Sequence, residues 1–240
     1  RVGDLAYYNL YFKTERLEEI DFPQSTTACG YGFYHGFMEH LIQDDPQASF
    51  VDDTCSYLKN RLSKDMADIG SICYHGAGHG LMLAQAEMVP RSQWGVIDVY
   101  VTPSARECEK FTKADEREVE QCREGVYNVL VEWMINNNYG FTFNEVDPMG
   151  MCRTQPALLQ YACYYEASQK LAQVTNNSPV GMIALAERVP VKYSIMTFSV
   201  GIAGFVQTQL STGSGYQEEL QGCAQLKDQF FSACMNSAVK

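Results

Sequence analysis

The sequence predicts an all-α protein built from antiparallel helix pairs, repeated as a solenoid or α/α-toroid and stapled by disulfides. Three observations predict it: a Cys/Gly/His phrase recurs at repeat-like spacing, cysteines fall in pairs at hairpin separation, and strand-like alternation is scarce.

The phrase sets the repeat. Cys29-Gly-Tyr-Gly-Phe-Tyr-His35-Gly36 and Cys73-Tyr-His-Gly-Ala-Gly-His79-Gly80 both read C-x2-G-x2-H-G. A third copy, Cys122-Arg-Glu-Gly125-Val-Tyr-Asn128-Val129, has Asn at the His position, and a fourth, Cys163-Tyr-Tyr-Glu166-Ala-Ser-Gln169, has Gln. The copies start at residues 29, 73, 122 and 163, giving spacings of 44, 49 and 41 residues, the range of two-helix repeat units. A fifth unit without cysteines is read in residues 179–189 and 193–210, and a sixth from residue 222 onward. The expectation is one helical-repeat domain over residues 1–240, with motif helices starting near 29, 73, 122, 163 and 199. Loops are expected at Asp44-Asp-Pro46, Thr102-Pro103-Ser104, residues 136–148, Asn176-Asn-Ser-Pro179 and Ser211-Thr-Gly-Ser-Gly215. Pro103 and Pro179 suit first helical turns. Residues 94–101 are the one run read as a short extended segment. Leu5-Ala-Tyr-Tyr reads as mid-helix, so the start is expected to be a trimmed end.

The nine cysteines pair by position. Cys55 precedes Cys73, Cys108 precedes Cys122, Cys152 precedes Cys163 and Cys223 precedes Cys234, at separations of 18, 14, 11 and 11 residues. A cross-link between the arms of a helical hairpin gives such separations, because it needs Cα atoms within about 7 Å. One staple per repeat implies an oxidising compartment: secreted, extracellular or periplasmic. Cys29 is left over, with a partner expected upstream of Arg1. The alternative is a set of reduced thiols serving as small core residues. No C-x2-C pair occurs, so a thiolate zinc site is not supported.

Composition narrows the partners. A net charge of −11 without a Lys/Arg cluster argues against nucleic acid. No apolar run reaches the roughly 18 residues of a membrane span, and the longest candidate, residues 195–205, carries Ser and Gly.

Helix geometry then sorts the motif positions. At about 100° per residue, the Cys and the glycines at +3 and +7 share one stripe, which lets two backbones approach and the Cys bridge to the partner helix. His40 falls on that stripe and is read as structural. The +6 position points about 100° away and holds His35, His79, Asn128 and Gln169. Beside it, +2 holds Tyr31, His75, Glu124 and Tyr165, while +10 holds Glu39, Leu83, Glu132 and Gln173. In stacked repeats these equivalent faces line one concave surface.

Two pairs on that surface, His35 with Glu39 and His75 with His79, are four residues apart and so chelate from one helix face. Three imidazoles with a carboxylate suit a divalent transition metal: zinc, iron, manganese or copper. Glu124 or Glu132 would complete the site, hold a metal ligand in place, or serve as the catalytic base, and both are candidates for that last role. An ion with an open position would activate water or oxygen, giving a metal-dependent hydrolase or oxidoreductase. Tyr31, Asn128, Tyr165 and Gln169 are the candidate binding residues. The alternative is a non-enzymatic module whose Tyr-rich polar groove takes a peptide, glycan or partner protein. The H-E-x-x-H, nucleophile-elbow and phosphate-loop patterns are absent from the chain.

Overall fold

A computed structural model describes residues 2–11, 22, 31–44, 48–64, 66–212, 223–224, 226 and 228–238. Among these residues there are twelve α-helices and no strand. The chain divides into two compact units, residues 1–142 and 143–240.

The first unit holds α1 (Val2–Ala6), which runs on as a π-helical turn (Tyr7–Tyr11), then α2 (Tyr31–Asp44), α3 (Ala48–Leu62), α4 (Ile69–Met88), α5 (Asp98–Cys108) and α6 (Glu116–Ile135). Helix α4 is its centre and packs against α2, α3, α5 and α6. Every residue from 69 to 82 is buried, as expected of a helix enclosed on all sides. Enclosure on this scale needs small residues where backbones cross. A Cβ on Gly76 would stand 3.1 Å from the Tyr34 carbonyl oxygen, and one on Gly80 would stand 2.9 Å from that of Met38. Both glycines therefore press on α2. On the opposite side Gly78 meets α6: its Cβ would lie 2.8 Å from the Val126 nitrogen, and one on Gly125 would lie 3.2 Å from the Gly78 Cα. Gly3 and Gly36 make the same kind of crossing between α1 and α2.

The glycine stripe and the cysteine serve different neighbours, which corrects the expectation that one partner helix takes both. Gly76 and Gly80 of α4 abut α2, while Cys73 pairs with Cys55 of α3 at a Cα separation of 5.5 Å. The Cys73 sulfur also lies 3.8 Å from the Met38 sulfur of α2, so it sits where three helices meet. The other expected pairs also stand at disulfide-bonding distance: Cys108 with Cys122 at 5.8 Å between Cα atoms, and Cys152 with Cys163 and Cys223 with Cys234 at 5.5 Å each. Cys29 lies outside the described residues.

Residues 94–101 are not extended. They follow a 3-10 turn (Arg91–Gln93) and enter α5 at Asp98. Tyr100, Val101, Ser104, Ala105 and Cys108 are buried along one side of α5, so helical periodicity prevails over the local β-branched composition. Pro103 sits inside α5 and not in its first turn. A proline there cannot donate to the carbonyl four residues back. The side chain of Gln85 supplies the missing donor, its Nε2 reaching the Val99 oxygen at 2.9 Å.

The second unit holds α7 (Gly150–Arg153), α8 (Gln160–Ser168), α9 (Leu171–Val174), α10 (Pro179–Ala186), α11 (Val191–Thr212) and α12 (Asp228–Ala238). The long α11 receives α8, α9, α10 and α12. Pro179 occupies the first turn of α10, and the Ser178 hydroxyl caps it by accepting from the Gly181 N–H at 3.2 Å. Ser211 and Thr212, expected in a loop, still belong to α11, and residues 213–222 lie outside the described set. Among the described residues, no helix is long and apolar enough to cross a membrane.

Candidate metal centre

The close crossing of α2 and α4 sets the site. Helix α2 presents His35 and Glu39 one turn apart, and α4 presents His75 and His79 with the same spacing. Gly76 and Gly80 let the helices approach until the imidazoles meet. The His35 ring centroid lies 5.1 Å from that of His75 and 4.3 Å from that of His79, while His75 and His79 are 5.1 Å apart. Each ring offers one nitrogen within 4.8 Å of the other two. Nitrogens about 2.1 Å from a tetrahedral ion stand roughly 3.4 Å apart, so a small contraction would close the set around a metal.

Glu39 lies against His79, its Oε1 3.3 Å from Nδ1. When Nδ1–H donates to this carboxylate, the ring's lone pair is on Nε2. That Nε2 is buried and has no hydrogen-bond partner among the described residues. A buried nitrogen in this state carries a desolvation cost that a bound cation would relieve.

The crossing of Gly78 with Gly125 brings α6 alongside His75. It seats Glu124, beside Gly125, so that a carboxylate oxygen lies within 4.8 Å of a His75 ring nitrogen. Glu124 accepts from the Gln121 side chain at 2.6 Å. Gln121 went unread in the sequence, although its i, i+3 spacing to Glu124 is a legible signal. Exposure is only 6% for His75, 7% for His79 and 3% for Glu124, so charge inside the cluster is weakly screened. Burial lowers the His75 pKa well below 6.5, and the neighbouring His79 and His35 rings lower it further. His75 is therefore neutral at neutral pH, the form that binds metal. Burial, with the nearby Glu120 carboxylate, pushes the Glu124 carboxyl up to about 7; Gln121 and Arg117 oppose that shift in part.

Glu132 sits farther along α6 and accepts from the Asn136 side chain at 3.5 Å; it is not among the ligand-spaced residues. Asn128 is half-buried on α6. The Tyr31 side chain lies outside the described set. Tyr165 and Gln169 belong to the second unit, where Tyr165 stacks on Tyr161 at 6.1 Å between centroids and Gln169 donates to Glu166 at 2.8 Å. Gln169 also lines a polar cavity of about 460 Å³ with Lys170, Gln173, Asn176 and Asn177. His40 packs against α1, its ring stacked on Tyr7 and 3.7 Å from the Asp4 carboxylate, in keeping with its structural reading.

Fold and cysteine pairs together define an all-α protein with four disulfide-distance cysteine pairs and, among the described residues of its first unit, a cluster of His35, His75 and His79 in which the latter two are buried. No protein-family model, curated protein or solved structure matches the chain.

Proposed function

We propose that the protein is a helical-repeat metalloprotein of an oxidising compartment, secreted or periplasmic, that binds one divalent transition metal through His35, His75 and His79. The observation that carries this reading is the convergence of three imidazoles from two helices, with Glu39 on the far nitrogen of one of them. Carboxylate–imidazole pairs of this kind fix the tautomer and raise the basicity of a metal-bound ring. Imidazole donors suit zinc, copper and iron, and disfavour calcium and magnesium, which take oxygen ligands. The repeat reading is supported by α4 and α6, whose +3 glycines both abut the preceding motif helix. The compartment is supported by four cysteine pairs at bonding distance.

The test is elemental analysis and zinc titration of the purified protein. One equivalent is expected in the wild type and none in His79→Ala, with unchanged helical circular dichroism. A wild-type protein that takes up no metal at stoichiometric concentrations ends this reading. The second reading, a non-enzymatic module for a peptide, glycan or protein, draws on the carboxamide-lined cavity around Gln169. Ligand binding lost in Gln169→Ala but kept in His79→Ala would favour it.

A further inference from the structure

We infer that the second unit binds a neutral oligosaccharide at a site extending from Tyr161 and Tyr165 into the cavity lined by Gln169, Gln173, Asn176 and Asn177. This narrows the non-enzymatic reading above, on which it rests, to one class of ligand. It is independent of the metal centre. Tyr161, Tyr165 and Gln169 follow one another at four-residue intervals, so they share one face of α8 and its C-terminal cap. The two tyrosine rings are near-parallel, with 21° between their planes, and Tyr161 is 39% exposed. The C–H face of a sugar ring rests well on such a surface, because its weakly positive hydrogens meet the negative face of the aromatic ring. One turn farther on, Gln169, Gln173, Asn176 and Asn177 are all exposed and line the cavity of about 460 Å³. Gly204 of α11 lines it as well and adds no side chain.

The lining chemistry selects the ligand. Each carboxamide carries both N–H donors and a carbonyl acceptor, which suits hydroxyls that donate and accept at once. A peptide or an apolar ligand is anchored by burying side chains in apolar pockets. The apolar side chain in this lining is that of Ala172, which is itself buried. Lys170 is the cation in the lining, on a chain of net charge −11, and that overall charge disfavours polyanionic sugars.

The carboxamides are also held in place before any ligand arrives. Asn176 and Asn177 are both left-handed, with φ of 49° and 60°. Main-chain bonds close their turn: the Asn176 N–H donates to the Gln173 oxygen at 3.2 Å, and the Asn177 N–H donates to the Ala172 oxygen at 2.7 Å. The turn therefore stands on its backbone, and both side chains remain at the surface. Gln169 is fixed by donating from Nε2 to Glu166 at 2.8 Å, which leaves its Oε1 to accept from a hydroxyl. Groups ordered in advance lose little entropy on binding.

The experiment is calorimetry on the full chain with its cysteine pairs intact, with cellohexaose, chitohexaose, maltohexaose and mannohexaose as probes. The wild type is expected to bind at least one of them. Tyr161→Ala and Asn177→Gly should each weaken that binding by about tenfold. Glycine keeps the left-handed backbone of the turn and removes only the carboxamide, so a purely conformational role for Asn177 predicts no loss. The inference is overturned if none of the four sugars binds, if neither variant weakens binding, or if heparin binds more tightly than the neutral probes. Binding of a peptide but of no sugar, lost in Gln169→Ala, overturns it too and leaves the broader binding-module reading standing. Sugar binding that Gln169→Ala leaves unchanged removes the cavity, and with it that broader reading.

Discussion

Gly32 and Gly78 both sit in motif helices but under opposite constraints. A Cβ added at Gly32 meets nothing within 4 Å, whereas one at Gly78 runs into the backbone of α6, which cannot swing aside. Gly32→Ala should therefore be neutral or stabilise by up to about 1 kcal/mol. Gly78→Ala should destabilise by about 1–3 kcal/mol or more, read by urea unfolding. Gly78 escaped the motif because the other copies carry Tyr34, Tyr127 and Ser168 at its position, so repetition gave no hint of it. The histidines were legible because four-residue spacing fixes a helix face, whatever the tertiary structure. The role of Glu39 was not, since its contact with His79 depends on how closely α2 approaches α4. Glu124 also makes a pH prediction for the metal-free protein. Its carboxyl titrates near 7 when folded against 4.5 when free, so the native state keeps a proton that the unfolded chain releases. The associated stability is present below 4.5 and lost as pH rises through 7. Glu124→Gln does not titrate, so it should gain roughly 3 kcal/mol on the wild type between about pH 4 and pH 8. His75 acts in the opposite sense: its pKa is lowered on folding, so its contribution is complete above 6.5 and declines as pH falls below that value.

At the scale of the helix, the cysteine pairs and caps dominate. Cys108 and Cys122 are 14 residues apart and join the end of α5 to the second turn of α6. Replacing both by Ala should cost about 3 kcal/mol, measured as a lowered urea midpoint without loss of helical signal. Helix α6 begins with a reciprocal cap: the Asp115 carboxylate accepts from the Glu118 N–H at 2.9 Å, and the Glu118 carboxylate accepts from the Asp115 N–H at 2.9 Å. Asp115→Ala should cost about 1 kcal/mol in the same assay. Pairing was legible from sequence because hairpin arms of ordinary length leave few other partners within reach. The start of α5 was not. Val96, Ile97, Val99 and Val101 look like a strand, and only burial of Tyr100, Ser104 and Cys108 on one face decides for helix. Pro103 misled for a related reason: its tolerance inside α5 depends on Gln85 from another helix, a partner no local window contains.

At the scale of the molecule, the first compact unit ends at residue 142 and the second begins at residue 143, just after an asparagine-rich stretch. The motif spacing runs through this boundary without a break, so repetition did not announce it. Residues 1–142 contain His35, Glu39, His75, His79 and Glu124 together with two cysteine pairs. Expressed alone under oxidising conditions, this segment should fold and take up zinc with the affinity of the full chain, as calorimetry would show. A further consequence lies in the order of the cysteine pairs. Each partner is the next cysteine along the described chain: 55 with 73, 108 with 122, 152 with 163, 223 with 234. No crosslink encloses another, so each hairpin can oxidise as soon as its second arm leaves the ribosome or the translocation pore. Nothing upstream then has to reopen, and oxidative maturation can proceed vectorially from the amino end with little need for reshuffling.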